Sequence, residues 1–244
     1  MKINPIEAMI LVGGKGTRLK SAVHDRPKPM AEVAGKPFLE WLMLSLYEQG
    51  VRKVILCTGY MGEMVESYFG DGEKWNLQVR YSHEPFPLGT GGAIRHALDL
   101  VQGDRFLVLN GDSYCRFDIG AMEAKHNSRS ALATMWLEKM DNCNRYGSVV
   151  LDENGMILSF SEKSSVSGSG LINAGVYLIE RRLVETIEKD RMVSLERDIF
   201  PNIIGKGLTG VVGEGVFVDI GTPESYASAE KILATDFTDK NSKG

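Results

Sequence analysis

A few short stretches of this chain are apolar almost throughout, and the residues that come after each of them decide the fold. The run "AMILV" (8–12) is bounded by glycine and too short for a buried helix, which predicts a strand covered on both faces. "KVILCT" (53–58) and "RFLVLNGD" (105–112) have the same character, and "LQVRYS" (77–82) alternates as a strand does. Helical patterns separate them. Leu39, Leu42, Met43 and Leu46 share one face, opened by Pro37 and closed by Gly50, and "EMVESYF" and "GGAIRHAL" supply two more helices. The order βαβαβαβ predicts an α/β chain with a Rossmann-like mixed, mostly parallel sheet and helices on both faces, in three layers αβα.

The second half is less regular. "ALATMWLE", "GSVVLD", "MILSFSE" and "LINAGVYLI" read as strands, several of them antiparallel. Helical segments come next, near Arg182 to Lys189 and Leu195 to Ile203, then a strand "FVDIG" and a closing helix begun by Pro223. The 244 residues suit one domain over 1–234, with a polar tail, 235–244, expected to be disordered.

The run Met9 to Met30, "MILVGGKGTRLKSAVHDRPKPM", raises the question of function. A buried strand empties into three glycines and then into Lys15, Arg18, Lys20, Arg26 and Lys28. The chain as a whole carries a net charge of −4, a field that attracts neither nucleic acid nor an anionic membrane. An anionic ligand must therefore be held by local cations. Glycines after a first strand let backbone N–H groups approach phosphate. The string "GGKGTRLK" is not a P-loop, and it fails as a dinucleotide fingerprint because Leu19 stands where the third glycine belongs. The acid expected after the second strand is also missing from "VILCTGY". Pro27 and Pro29 flank Lys28 and restrict where it points, which favours Lys28 and Arg18 as phosphate ligands. Lys15, Lys20 and Lys36 are as readily explained by solvation.

Two carboxylates stand out. Asp112 follows Asn110 and Gly111 at the carboxyl end of a strand, where ligands of parallel sheets bind, and Asp219 lies in an apolar strand where an unpaired charge is costly. A shared Mg²⁺ would compensate both; a turn-capping role explains Asp112 equally well. The glycines of "EPFPLGTGGAI" (84–94) begin a helix that Thr90 can cap. Gly175, inside a strand, marks close approach of a ligand. Glu162 and Lys163, taken alone, read as surface charge. His24, His83, His96 and His126 are scattered, with no serine or cysteine elbow, and Trp41, Trp75 and Trp136 read as core. The three cysteines fit no metal spacing and read as free thiols of a reducing compartment. No run spans a bilayer and "MKINPIEA" lacks a signal-peptide core, so the cytoplasm is the expected location.

"LVGGKGTRL" followed by "RPKPM" resembles the signature of the sugar-1-phosphate nucleotidyltransferases, and further matches run in the family's order from Met9 to about Leu233. The resemblance implies the nucleotide-diphospho-sugar transferase fold. It implies a nucleoside triphosphate over Leu11, Gly13, Gly14, Gly16 and Thr17, with Arg18 and Lys28 on its phosphates. It makes Asp112 and Asp219 the ligands of a catalytic Mg²⁺. Glu84, Gly89 and Thr90 would face the nucleoside, and Glu84 could accept the paired N1–H and N2–H₂ donors of guanine, a modest preference because it could also serve uracil. Lys163 would hold the sugar phosphate and Glu162 the sugar hydroxyls, with Asn110, Gly111, Asn173 and Gly175 around the sugar. Within the family, "RPKPMAEVAGKPFLEWL" and "VFVDIGTPESY" are most similar to the branch using GTP and D-glycero-α-D-manno-heptose 1-phosphate. The mannose-1-phosphate guanylyltransferases are next, then uridylyl- and thymidylyltransferases. A regulatory module that binds a nucleotide sugar without turnover is the non-enzymatic alternative. Self-association, as a dimer, is left open.

Overall fold

The computed structural model describes residues 6–14, 16, 19, 25–161 and 168–241, with side chains left aside at 234 and 236–241. The first apolar run forms β1 (Ala8–Leu11). A small hairpin, β2 (Glu32–Val33) and β3 (Lys36–Pro37), leads into α1 (Phe38–Glu48), and β4 (Lys53–Thr58), α2 (Gly62–Phe69), β5 (Gln78–His83), α3 (Gly89–Ala97) and β6 (Arg105–Asn110) succeed it as the alternation requires. Then come β7 (Ser113–Cys115), α4 (Ile119–Ser128), β8 (Ala133–Met140), β9 (Ser148–Leu151), β10 (Ile157–Ser161) and β11 (Gly170–Glu180). The chain closes with α5 (Arg181–Glu185), a π-helical turn over Leu195–Ile199, α6 (Phe200–Ile203), β12 (Leu208–Gly213), β13 (Phe217–Asp219) and α7 (Pro223–Asn241).

The main sheet runs β10-β9-β11-β6-β1-β4-β5, with β8 joined to β11 and β12. β1 is parallel to both β4 and β6, and β4 to β5, while β11 is antiparallel to β6. The sheet is thus mixed, with a parallel block at β6-β1-β4-β5. From β1 the chain passes outward through β4 and β5 and then returns to the other side of β1 as β6. That reversal opens a crevice beyond the carboxyl ends of β1 and β6.

Ala8, Met9 and Ile10 are wholly buried because β1 is covered on both faces. Ala8 and Ile10 pack with Leu39, Leu42 and Met43 of α1, whereas Met9 packs with Ala93, Ile94 and Ala97 of α3. Each large apolar side chain so covered contributes roughly 1.5–3 kcal/mol, and the two clusters make the three layers. Trp41, Trp75 and Trp136 belong to the core, and Cys57, Cys115 and Cys143 are free and buried. Among the described residues no helix is long and apolar enough to cross a membrane.

Several elements differ from the sequence reading. α4 buries only Ile119, Met122 and His126, so its apolar stripe is faint, although Asp118 caps it by accepting from Ala121 N. β12, "LTGVVG", carries glycine because Gly210 lies against Leu137 of β8, where a Cβ would meet Leu137 Cδ1 at 2.7 Å. α7 continues to Asn241, so residues 235–241, expected to fray, extend the closing helix. A helix already nucleated propagates at one hydrogen bond per added residue, which polar residues tolerate.

A cleft floored by a lysine and two carboxylates

Leu11 ends β1 directly opposite Asn110, which ends β6. Gly111 N donates to Leu11 O at 3.0 Å, and a Cβ on Gly111 would stand 2.6 Å from that oxygen, so only glycine allows the crossing. Beyond it lie two adjoining cavities that share Leu11, Gly14 and Asp112. The smaller, about 220 Å³, is bounded by Gly16, Lys28, Pro29 and Gly221, and the larger, about 710 Å³, by Gly13, Tyr60, Glu84, Phe86, Gly89, Thr90 and Asn110 among others.

Lys28 opens a single 3-10 turn, Lys28–Met30, preceded by extended Pro27 and anchored by buried Pro29 and Met30. Its ammonium donates to Asp112 Oδ2 at 2.5 Å, with 9% of the lysine side chain and 45% of the aspartate exposed. The flanking prolines and the packing fix the lysine, and the aspartate opens onto the cavity. Asp112 is therefore paired with Lys28 and is not simply a turn cap. Gly16 (φ +55°) closes over the lysine stem, where a Cβ would meet Lys28 Cβ at 2.9 Å.

Asp219 reaches the same place through the β7–β13 ladder, which sets it opposite Ser113, and Ile220 N donates to Asp112 O at 3.0 Å. Its carboxylate is held by Gly221 N (2.6 Å), Tyr146 Oη (2.5 Å) and Ser225 Oγ (3.2 Å), with Arg145 Nη2 at 3.4 Å. Burial, and then the hydrogen bond to Asp219, push the Tyr146 phenol upward in pKa, so it stays a donor. A Cβ on Gly221 would lie 2.5 Å from Asp219 Oδ1 and 3.7 Å from Lys28 Nζ, which ties the three groups to one spot. Among the described residues no cluster of three or more His, Cys, Asp or Glu side chains forms a metal cage. A pair of carboxylates at strand ends instead suits Mg²⁺, which takes one or two carboxylates and draws its other ligands from phosphate and water.

Glu84 faces the larger cavity. Its Oε2 accepts from Leu88 N at 2.9 Å, its Oε1 abuts Gly13, and burial raises its pKa. Thr90 is not the cap of α3: Leu88 holds that position without a side-chain bond, and the Thr90 hydroxyl donates to Glu196 Oε2 at 2.7 Å. Asn110 and Gly111 line the larger cavity, and Asn110 Oδ1 is buried without a partner among the described residues. Gly175 (φ +77°) makes its close approach to protein, since a Cβ there would meet Asn110 Nδ2 at 2.7 Å. Asn173 is engaged on both sides of its amide, accepting from Gly175 N and donating to Tyr177 Oη. Thr17, Arg18, Glu162 and Lys163 lie outside the described residues, as do Lys15 and Lys20. Arg26 pairs with its neighbour Asp25 at the surface.

The sequence reading missed Arg145, Tyr146 and Ser225 around Asp219, and Glu196 beside Thr90. No local spacing announces Arg145, Tyr146 or Glu196, whereas Ser225 stands 6 residues after Asp219. Tyr146 sits 73 residues from Asp219, in the β8–β9 connection.

The family profile described as "Nucleotidyl transferase" matches residues 7–236. The D-glycero-alpha-D-manno-heptose 1-phosphate guanylyltransferase of Aneurinibacillus thermoaerophilus is 38% identical, over 93% of this chain and 98% of its own. The mannose-1-phosphate guanylyltransferase of Mycobacterium tuberculosis is 37% identical over 93% of this chain, which spans 64% of that relative's length. The crystal structure of HddC from Yersinia pseudotuberculosis complexed with GMP-PN superposes with a TM-score of 0.81 at 35% identity, covering 93% of this chain and 98% of that one.

Proposed function

The chain belongs to the nucleotidyl transferase family, and on that premise we propose that it transfers GMP from GTP to a sugar 1-phosphate, with D-glycero-α-D-manno-heptose 1-phosphate as the preferred acceptor. An oxygen of the sugar phosphate attacks the α-phosphorus of GTP, the bond from that phosphorus to the bridging oxygen breaks, and pyrophosphate leaves in line. The attacking oxygen is already ionised, so no general base is needed.

One observation carries this reading: Lys28, Asp112 and Asp219 meet at the floor of a cleft whose wall is a glycine loop. In such a cleft the work is positioning and electrostatic stabilisation. Gly14 leaves the backbone open to a triphosphate, as nothing lies within 4 Å of where its Cβ would be. Lys28, with Arg18, stabilises charge on the departing pyrophosphate. Lys163 holds the attacking phosphate and Glu162 the sugar hydroxyls. Glu84 accepts from the guanine edge with lone pairs not taken by Leu88. The orphan Asn110 Oδ1 supports a polar ligand there, because leaving it unpaired costs about 1–3 kcal/mol. A Mg²⁺ held by Asp112 and Asp219 would neutralise phosphate oxygens of both substrates.

The 37% identity to the mannose-1-phosphate enzyme favours one second reading, mannose 1-phosphate as acceptor. Pyrophosphate release is measured for four nucleoside triphosphates against heptose, mannose and glucose 1-phosphates. The expected optimum is GTP with heptose 1-phosphate. Higher kcat/KM with mannose 1-phosphate replaces the acceptor, a preference for UTP overturns the role of Glu84, and no release with any pair overturns the reading.

A further inference from the structure

Glu196, in the π-helical turn, accepts three hydroxyl hydrogen bonds. Thr90 Oγ1 donates to Oε2 at 2.7 Å, Ser194 Oγ to the same oxygen at 3.0 Å, and Tyr177 Oη to Oε1 at 3.0 Å. An ionised carboxylate only accepts, so all three hydroxyls must point at it. Tyr177 is wholly buried, and burial together with Glu196 drives its phenol pKa well upward, which keeps it a donor. Its oxygen accepts in turn from Asn173 Nδ2 at 2.7 Å, and Asn173 Oδ1 accepts from Gly175 N at 2.9 Å.

One end of this chain of bonds lines the cleft, and the other backs a residue that lines it from the far side. Thr90 lines the larger cavity beside Gly89 and Glu84. Gly175, at the other end, abuts the amide of Asn110, which lines the same cavity next to Asp112. Thr90 Oγ1 also accepts from Leu195 N at 2.8 Å, so the π-helical turn is tied to α3 by a second bond. We infer that Glu196 is a positioning residue that fixes the nucleotide side of the cleft relative to the Asn110 side, and hence the α-phosphorus relative to the attacking oxygen. The inference rests on the guanylyltransferase reading of the cleft.

Glu196→Gln keeps the shape but sets an NH₂ donor against hydroxyls that now donate, so at least one hydroxyl must turn to accept and its own proton loses its partner, which weakens that arm of the bridge. Misplacement of this kind costs about ten- to a hundredfold in kcat. The expected result is that loss, with KM for GTP and for the sugar phosphate each changed less than about threefold and the melting temperature nearly kept. A kcat within about twofold of wild type, or a lower melting temperature with unchanged kinetic constants, overturns the inference. So does a KM change for one substrate alone. Should Glu196→Gln fail to fold, Thr90→Val, Tyr177→Phe and their double variant decide, because ends joined through one carboxylate lose kcat non-additively and independent ends lose it additively. Wild-type protein that releases no pyrophosphate with GTP overturns the underlying reading and the inference with it. A normal wild type with an unaffected Glu196→Gln overturns the inference alone.

Discussion

Two glycine-rich segments flank the cleft, and Gly14 sets the first apart from the second. After β1, Gly13 and Gly16 are closed in by Glu84 and Lys28, and Gly14 between them leaves room. Gly14 has nothing within 4 Å of its absent Cβ and borders both cavities. At the start of α3 the glycines are filled in by the protein itself. A Cβ on Gly92 would stand 2.3 Å from Arg191 O, and one on Gly89 2.6 Å from Val193 O. Gly91 N and Gly92 N, which a phosphate could have used, both donate to Val193 O, at 2.8 and 3.2 Å. The first segment is open to a ligand at Gly14, and the other is shaped by a crossing chain and offers the cavity its edge, at Gly89 and Thr90. Glycine at a helix or loop start therefore signals close approach without saying what approaches.

The contrast predicts that damage on the β1 side costs chemistry and damage at the start of α3 costs stability. The largest effect is expected from Asp112→Asn, which weakens the pairing with Lys28 and the proposed metal site: turnover should fall about 10³-fold, by the scale of lost electrostatic stabilisation, with the melting temperature little changed. Wild-type turnover in a magnesium-containing pyrophosphate assay would rule out the assignment. Arg18→Met should cost on the order of 10²-fold in kcat/KM, and an unchanged value would return Arg18 to the class of solvated cations. Next come the paired substitutions Gly92→Ala and Gly14→Ala. The first should lower stability by about 2 kcal/mol through backbone overlap, and the second should leave denaturant unfolding unchanged while raising KM for GTP. Equal stability losses in the two would erase the distinction between the segments.

The smallest effect is a pH dependence. Burial raises the pKa of Glu84 above the ordinary 4.5, so its carboxylate takes up a proton at higher pH than an exposed glutamate does. A protonated Glu84 no longer offers guanine two acceptors, so GTP affinity should fall as pH drops through the raised pKa. The folded state binds this proton more readily than the unfolded chain, so Glu84 itself costs stability above its raised pKa, and this cost is relieved as pH falls. Calorimetric titration of GTP should show affinity declining with acid in wild type and a flatter profile in Glu84→Gln. Identical profiles would remove Glu84 from the base site.

How much of this was legible beforehand depends on how local the cause is. β1, β4, β5, β6 and the helices between them follow from period and punctuation, because burial on one or two faces leaves its mark within a few residues, whereas the two-residue strands β2 and β3 are too short to show a period. α4 left almost no mark, since it buries little beyond Ile119, Met122 and His126, and the cap at Asp118 was the one signal to be had. The pairing of Lys28 with Asp112 bridges 84 positions, and that of Thr90 with Glu196 bridges 106. Lys28 and Asp112 nonetheless stand out in the sequence, one by its two flanking prolines and the other by its place at a strand's carboxyl end.

The sequence by itself determined the α/β class, the glycine loop after β1, the acids at the ends of β6 and β13, and the family. Only the tertiary structure decided what each glycine makes room for, that Asp219 is held by Tyr146 and Ser225, that Asn173 turns inward to Tyr177, and that Glu196 joins both walls. The physical reason is that periodicity records which face of a segment is buried, whereas convergence of side chains is set by strand order and register, and those are fixed by contacts between distant parts of the chain.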